Sequence, residues 1–159
     1  MMAMTGVATE TTIRMATVDD RAALLAFLAT IATTSRYTGG ARLNLVHLSD
    51  SLDRMLAMPD AGFLVAIDED RIVGVLVLLL FDDLISGARG AAEVCWYVEP
   101  SHRAGLGPRL LGEGERWADE HCAAKIQMLE PDARFAPLYT RRGYTPTQRI
   151  WERRFACRG

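Results

Sequence analysis

Two apolar runs, Gly62 to Ile67 and Arg71 to Phe81, stand on either side of Asp68-Glu69-Asp70, and nothing else in the chain restricts its fold as strongly. Ile72 to Phe81 is too short for a membrane helix, and its β-branched start suits a buried strand. Two such runs joined by a short polar segment predict a β-hairpin, although the turn lacks the favoured Asn-Gly pair. The three acidic residues can also be read as a cation site. No glycine follows them and no distal glutamate stands at calcium-loop spacing, so a solvated turn is the better reading.

The rest of the composition supports one soluble domain. Of 159 residues, 50% are hydrophobic, and 18 basic side chains face 20 acidic ones, a net charge of −2. That balance excludes a general nucleic-acid binder, which needs a net basic surface, and it excludes disorder. Cys95, Cys122 and Cys157 are odd in number with no C-x-x-C spacing, against a secreted disulfide framework or a zinc knuckle. Residues 1–10 carry neither a basic n-region nor an apolar core and read as a flexible tail ahead of one domain over 11–159. A cytoplasmic protein with no nucleic-acid, membrane or metal partner is the expectation. The charge is uneven: residues 1–100 hold 7 basic and 13 acidic side chains, and residues 101–159 hold 11 and 7. The C-terminal part would therefore tolerate an anionic ligand better.

Periodicity places further elements around the hairpin. Thr11 to Ala16 alternates as a strand, and Thr17 with Asp19 and Asp20 opens a helix carrying Ala23, Leu24, Phe27, Leu28 and Ile31 on one face. Ser49 or Asp50 could cap a second helix through Met58. Glu93 to Val98 reads as a strand ended by Glu99-Pro100. Gly105 to about His121 is helical, with Leu106, Leu110, Gly114, Trp117 and Ala118 on one face. Gly112 and Gly114 each cost about 1 kcal/mol there, which a close approach to a sheet would explain. Lys125 to Leu129 reads as a strand, Asp132 to Arg141 as a short helix with Gly143 just beyond its end, and Tyr144 to Phe155 as one or two final strands. The order fits a mixed α/β domain.

The stretch from Val98 to Leu111, V-E-P-S-H-R-A-G-L-G-P-R-L-L, is the most informative chemically. A strand ends, a glycine-containing turn follows and an amphipathic helix begins, with Pro108 tolerated in its first turn. Backbone N–H groups at such a place suit phosphate. A dinucleotide-binding fingerprint is a poor match. Its third glycine is Leu110 here, residues 99–104 intervene after the strand, and too little chain follows Glu130.

The same stretch resembles the acetyl-CoA loop of the GNAT superfamily of N-acetyltransferases, V-x-P-x-x-R-G-x-G-[LI]-G-x-x-L-L. Leu138-Tyr139-Thr140-Arg141-Arg142-Gly143-Tyr144 resembles that family's L-Y-x-x-x-G-[FY] segment. The spacing of the two motifs and the element order match over residues 11–156. Arg103-Ala104-Gly105-Leu106-Gly107 is one residue shorter than the family loop and lacks its first glycine. Anchoring on Pro100 sets Arg103 at the family arginine, and anchoring on the glycines sets His102 there. The resemblance implies a central, mostly antiparallel sheet with a splayed pair of parallel strands, flanked by helices. It implies acetyl-CoA as co-substrate and a primary amine of a small molecule or protein as acceptor, with direct transfer in a ternary complex.

Site residues follow from the same resemblance. Tyr97 and Val98 would offer backbone to the thioester, and His102, Arg103, Ala104, Gly105, Leu106 and Gly107 would form the CoA loop. Tyr139 matches the tyrosine that protonates the leaving thiolate, and a phenol of pKa about 10 is suited to a thiolate of pKa about 8.5. The other reading of Tyr139 is a core tyrosine on the face of a short helix. Glu93 stands where several family members place a catalytic carboxylate, and by alternation it shares a face with Cys95 and Tyr97. A strand-edge role for Glu93, with water taking the amine proton, is the other reading. Cys95 reads as a small buried hydrophobe. His47 and His121 lack metal-ligand spacing, and Arg141 and Arg142 would offset a helix dipole or approach a CoA phosphate. Arg36, Tyr37 and Trp96 could line the acceptor pocket. Exposed strand edges near the C-terminus would suit a homodimer, and a non-catalytic CoA-binding or regulatory module is the alternative function.

Overall fold

The computed structural model describes residues 10–33, 42–153 and 155. They fall into two compact units, one within Met1–Met128 and one within Leu129–Gly159. The first contains β1 (Thr12–Met15), α1 (Arg21–Ile31), α2 (Leu45–Ala57), β2 (Ala61–Asp68), β3 (Arg71–Asp82), β4 (Arg89–Val98), α3 (Arg103–Glu120) and β5 (Lys125–Gln127). The strands form one sheet in the order β1-β2-β3-β4-β5, antiparallel except for the parallel pair β4–β5. This is the mixed architecture expected.

The hairpin forms as its apolar runs require. Asp68 pairs with Arg71, and the two residues between them, Glu69 and Asp70, have φ of 46° and 62°. Positive φ at both central residues is what a tight I′ connection needs, and an Asn-Gly pair would meet it with less strain. β3 is buried without alternation from Ile72 to Val73 and Val75 to Leu78 because helices cover both faces of the sheet. On one face Leu24, Phe27 and Ile31 of α1 and Leu52 of α2 pack with Phe63, Val65, Val75 and Val77.

The other face belongs to α3, whose buried residues Leu106, Leu110, Leu111, Gly114, Trp117 and Ala118 include every position of the expected stripe. A Cβ on Gly114 would stand 2.5 Å from Leu76 Cδ2 and 3.2 Å from Leu78 Cδ1. The glycine that costs helix propensity is thus what lets the helix axis approach the sheet.

Local chemistry sets the remaining boundaries. Asp20 accepts from the Thr17 backbone N–H at 2.8 Å and takes two bonds from the Arg14 guanidinium at 2.7 and 2.8 Å, tying β1 to the start of α1. The second helix begins several residues before the expected start, because the Asn44 side chain caps it by accepting from the His47 N–H at 3.0 Å. Its first residues, Leu45 and Val46, are exposed, which hides that start from an amphipathic pattern. β4 begins at Arg89 rather than Glu93, since the small residues Gly90, Ala91 and Ala92 pair with strands on both sides.

The second unit holds α4 (Ala136–Arg141), shorter than expected. Asp132 instead turns the chain by accepting from the Arg134 N–H at 2.9 Å. Gly143 follows α4 with φ of 84°; its N–H reaches the Thr140 carbonyl and that of Tyr144 reaches the Tyr139 carbonyl, a Schellman ending. The strands expected over 144–155 are absent among the described residues there. Ile150, Trp151 and Phe155 are exposed by 77, 90 and 76%, so the apolar residues that suggested a strand are not buried by it. Among the described residues no helix is long and apolar enough to cross a membrane, and no group of His, Cys, Asp or Glu could hold a metal ion.

Two measurements test this packing. Gly114→Leu drives a side chain into Leu76 and lowers unfolding stability by about 1–3 kcal/mol in urea titrations. The second concerns Asp20, whose carboxyl is held down at about 2, first by Arg14 and then by the Thr17 N–H. A lowered folded pKa contributes stability above the unfolded value near 4 that is lost as pH falls toward 2. Asp20→Ala therefore costs about 1 kcal/mol at pH 7 and flattens the acid limb of the stability profile in that window.

Candidate active site

The site grows from a mismatch within β4. Its ladder with β5 consists of three pairs, Gly90↔Lys125, Ala91↔Ile126 and Ala92↔Gln127, whereas its ladder with β3 runs on to Val98. Beyond Ala92 the two parallel strands part. At that point Leu78 pairs with Glu93 and Val77 with Cys95, leaving Val94 as an extra residue, a bulge that increases local twist. Strict alternation through Glu93, Cys95 and Tyr97 is therefore broken. Cys95 and Tyr97 lie with Val77 and Val75, packed on the α1–α2 core, while Glu93 is registered with Leu78.

The exposed edge has a defined polarity. The Glu99 N–H bonds to the Val73 carbonyl at 2.9 Å, so the preceding peptide directs its carbonyl, that of Val98, away from β3. The Arg103 Nε–H donates to that carbonyl at 3.0 Å. The N–H and C=O of a strand residue point the same way, so the Val98 N–H also faces the open side.

The chain then turns through a 3₁₀ segment at Pro100–His102. Ala104 leaves helical geometry with ψ of 96°, and Gly105 takes a left-handed φ of 86° that a side chain would resist. Regular helix resumes at Leu106, and the N–H groups at the start of a helix are those its own carbonyls leave unbonded. Pro108 removes one such donor. Trp96 lies buried beneath this turn, its ring 3.6 Å from where a Gly107 Cβ would stand, so it floors the loop instead of lining a pocket.

The basic side chains around this turn all have protein acceptors. His102 Nε2 is 3.0 Å from Asp68 Oδ2, Arg103 bonds to Val98 and lies 5.8 Å over the Tyr97 ring, and Arg109 donates to the Thr11 carbonyl at 3.0 Å. Backbone donors, with the helix dipole behind them, are what the turn presents to an anion.

Cys95 is unsuited to nucleophilic work. Burial, with a smaller push from the Glu93 charge, raises its thiol to about 12. In the second unit Tyr139 is 7% exposed, donates its hydroxyl proton to the Leu129 carbonyl at 2.7 Å, and packs against Phe135 and Tyr144. His47 lies on the α2 surface near Ser51, and His121 bonds to the Trp117 carbonyl at the end of α3. Arg36 and Tyr37 lie outside the described residues. Sequence reasoning missed Val94, whose bulge has no residue signature, and Asp68, which looked like one of three solvated turn residues.

Known proteins share this fold. A transcriptional regulator from Bacillus halodurans C-125 superposes with a TM-score of 0.74 at 21% identity, over 92% of this chain and 100% of that one. A ribosomal-protein-alanine N-acetyltransferase from Brucella melitensis biovar Abortus 2308 gives 0.70 at 19% identity, over 92% and 100%. An aminoglycoside acetyltransferase from an uncultured soil metagenomic sample, solved with trehalose, gives 0.72 at 15%, over 93% and 97%. No curated protein matches by sequence. Residues 25–144 match the model of the acetyltransferase (GNAT) family, a span that includes the splayed strands, the glycine turn and Tyr139, and the chain belongs to that family.

Proposed function

We propose that the protein transfers an acetyl group from acetyl-CoA to the primary amine of a small molecule or protein, by direct attack within a ternary complex. The observation that carries this reading is the outward-facing Val98 N–H on the open edge of β4, one turn of chain before the left-handed Gly105 and the N-terminus of α3. A thioester needs a donor for the oxygen that gains charge, and a pyrophosphate needs several donors along one line; these are the two groups of donors present. The pantetheine arm lies between them along β4, with Tyr97 and Val98 at its thioester end. Residues 102–107 lie at its phosphate end.

In the reaction the acceptor nitrogen, freed of a proton, attacks the thioester carbon. A C–N bond forms, charge collects on the oxygen facing the Val98 N–H, and the C–S bond then breaks to release CoA thiolate. The amine proton goes to water or to Glu93, and the thiolate takes a proton from Tyr139, whose hydroxyl leaves the Leu129 carbonyl to give it. Cysteine usage and a CoA thioester as donor support a cytoplasmic setting for this chemistry. The fold shared with a transcriptional regulator favours a second reading, in which CoA binding itself is the signal.

Thiol release against a panel of amines separates these, with CoA binding measured by calorimetry. Turnover on at least one amine supports the enzyme. CoA binding with no turnover on any amine supports the binding module, and absence of CoA binding removes both. Tyr139→Phe is expected to lower kcat about a hundredfold with CoA affinity kept; a loss of thermal stability with kcat unchanged would make Tyr139 a packing residue. Gly107→Ala tests the phosphate turn from the other direction. Beyond its chain neighbours and its own helix backbone, the nearest described atom to its Cβ position is a Trp96 ring carbon at 3.6 Å, so the fold should tolerate it while CoA binding weakens about tenfold.

A further inference from the structure

A ring of side chains joins the hairpin turn to the loop ahead of α3. Asp68, the last residue of β2, places Oδ2 3.0 Å from His102 Nε2, and Ser101 Oγ lies 2.9 Å from His102 Nδ1. Glu99 Oε2 is 3.7 Å from the same Nδ1, and its Oε1 takes the Arg71 guanidinium at 2.5 Å. Arg71 pairs across the turn with Asp68, which closes the ring. An ionised carboxylate only accepts, so Nε2–H donates to Asp68, while Ser101 Oγ engages Nδ1 and both ring nitrogens have a partner. The His102 and Asp68 side chains are 20 and 27% exposed, shielded enough for this geometry to be held.

We propose that His102 is a positioning residue and Asp68 its anchor, a strut that sets the conformation of residues 100–107. The proposal rests on the CoA reading above, in which that conformation presents the α3 N–H groups to phosphate. The loop needs outside support. It is one residue shorter than the family pattern, and it leaves helical geometry at Ala104 and at Gly105, whose φ is 86°. Asp68 can supply that support because the pairing with Arg71 and the I′ turn fix where its carboxylate stands. His102 thus acts on the ligand through the backbone, with its ring directed to Asp68.

The test is a double-mutant cycle with Asp68→Ala and His102→Gln, and Asp68→Asn as the variant that keeps an acceptor of the same size. CoA affinity by calorimetry should fall about five- to tenfold in each single variant, with no further loss in the double variant and substantial recovery in Asp68→Asn. In steady-state assays of Asp68→Ala the loss should appear in KM for acetyl-CoA with kcat nearly retained. Backbone hydrogen exchange over 103–107 in the ligand-free protein should quicken in step. Unchanged affinity, single effects that multiply, or a fall in kcat at constant KM would each overturn the strut. If the unaltered protein binds no CoA, the functional reading fails, and exchange alone decides the strut: faster, non-additive exchange upholds it and unchanged exchange overturns it.

Discussion

A strand can satisfy its backbone on two sides only while both neighbours run alongside it, and β4 has that condition for three residue pairs. Val94 then inserts one residue against β3, the strand turns, and its outer edge is left with polar groups that β5 no longer meets. Exposed edges are a hazard that most sheets cover. Here the hazard is confined to a few residues, one carbonyl of which Arg103 caps. The ends of the strand are held firmly enough for the opening to keep its shape. Glu99 is bonded back to β3, and α3 presses on the inner sheet face through Gly114.

The parts of this arrangement differ in how far they could be read from residues alone. The hairpin was legible because an apolar run that long has one economical burial, and the α3 stripe because every residue on it meets the sheet. Gly143 was legible because a helix ending needs a left-handed residue where side chains resist one. Alternation failed at Glu93 for a physical reason: the bulge is decided by pairing between strands, and Val94 looks like any strand residue. The early start of α2 failed because its cap is a lone Asn44 followed by exposed aliphatics. The C-terminal strands failed because apolar content measures what a segment could bury, and burial needs a surface to receive it.

Within the candidate site, the two motifs were visible as motifs, while the directions of their groups were not. Sequence could offer His102 and Arg103 as rival phosphate ligands, because a basic residue beside a glycine turn suits that part. Geometry gives each of them an acceptor within the protein, Asp68 for one and Val98 for the other. Long-range partners such as Asp68 leave no local trace, which is why the loop's short length looked like a defect and not like a loop braced from elsewhere.

The partly buried thiol of Cys95 bears on the fidelity of the proposed acetyl transfer. At neutral pH a thiol raised to about 12 is ionised in roughly one molecule in 10⁵, and only the thiolate attacks an activated acyl group. Three residues before Val98, whose N–H would face the reacting carbonyl in the proposed reaction, the chain carries a thiol held in its un-ionised form. In the proposed reaction, self-acylation of a cysteine near a thioester would be suppressed by the same packing that seats the strand on α1 and α2.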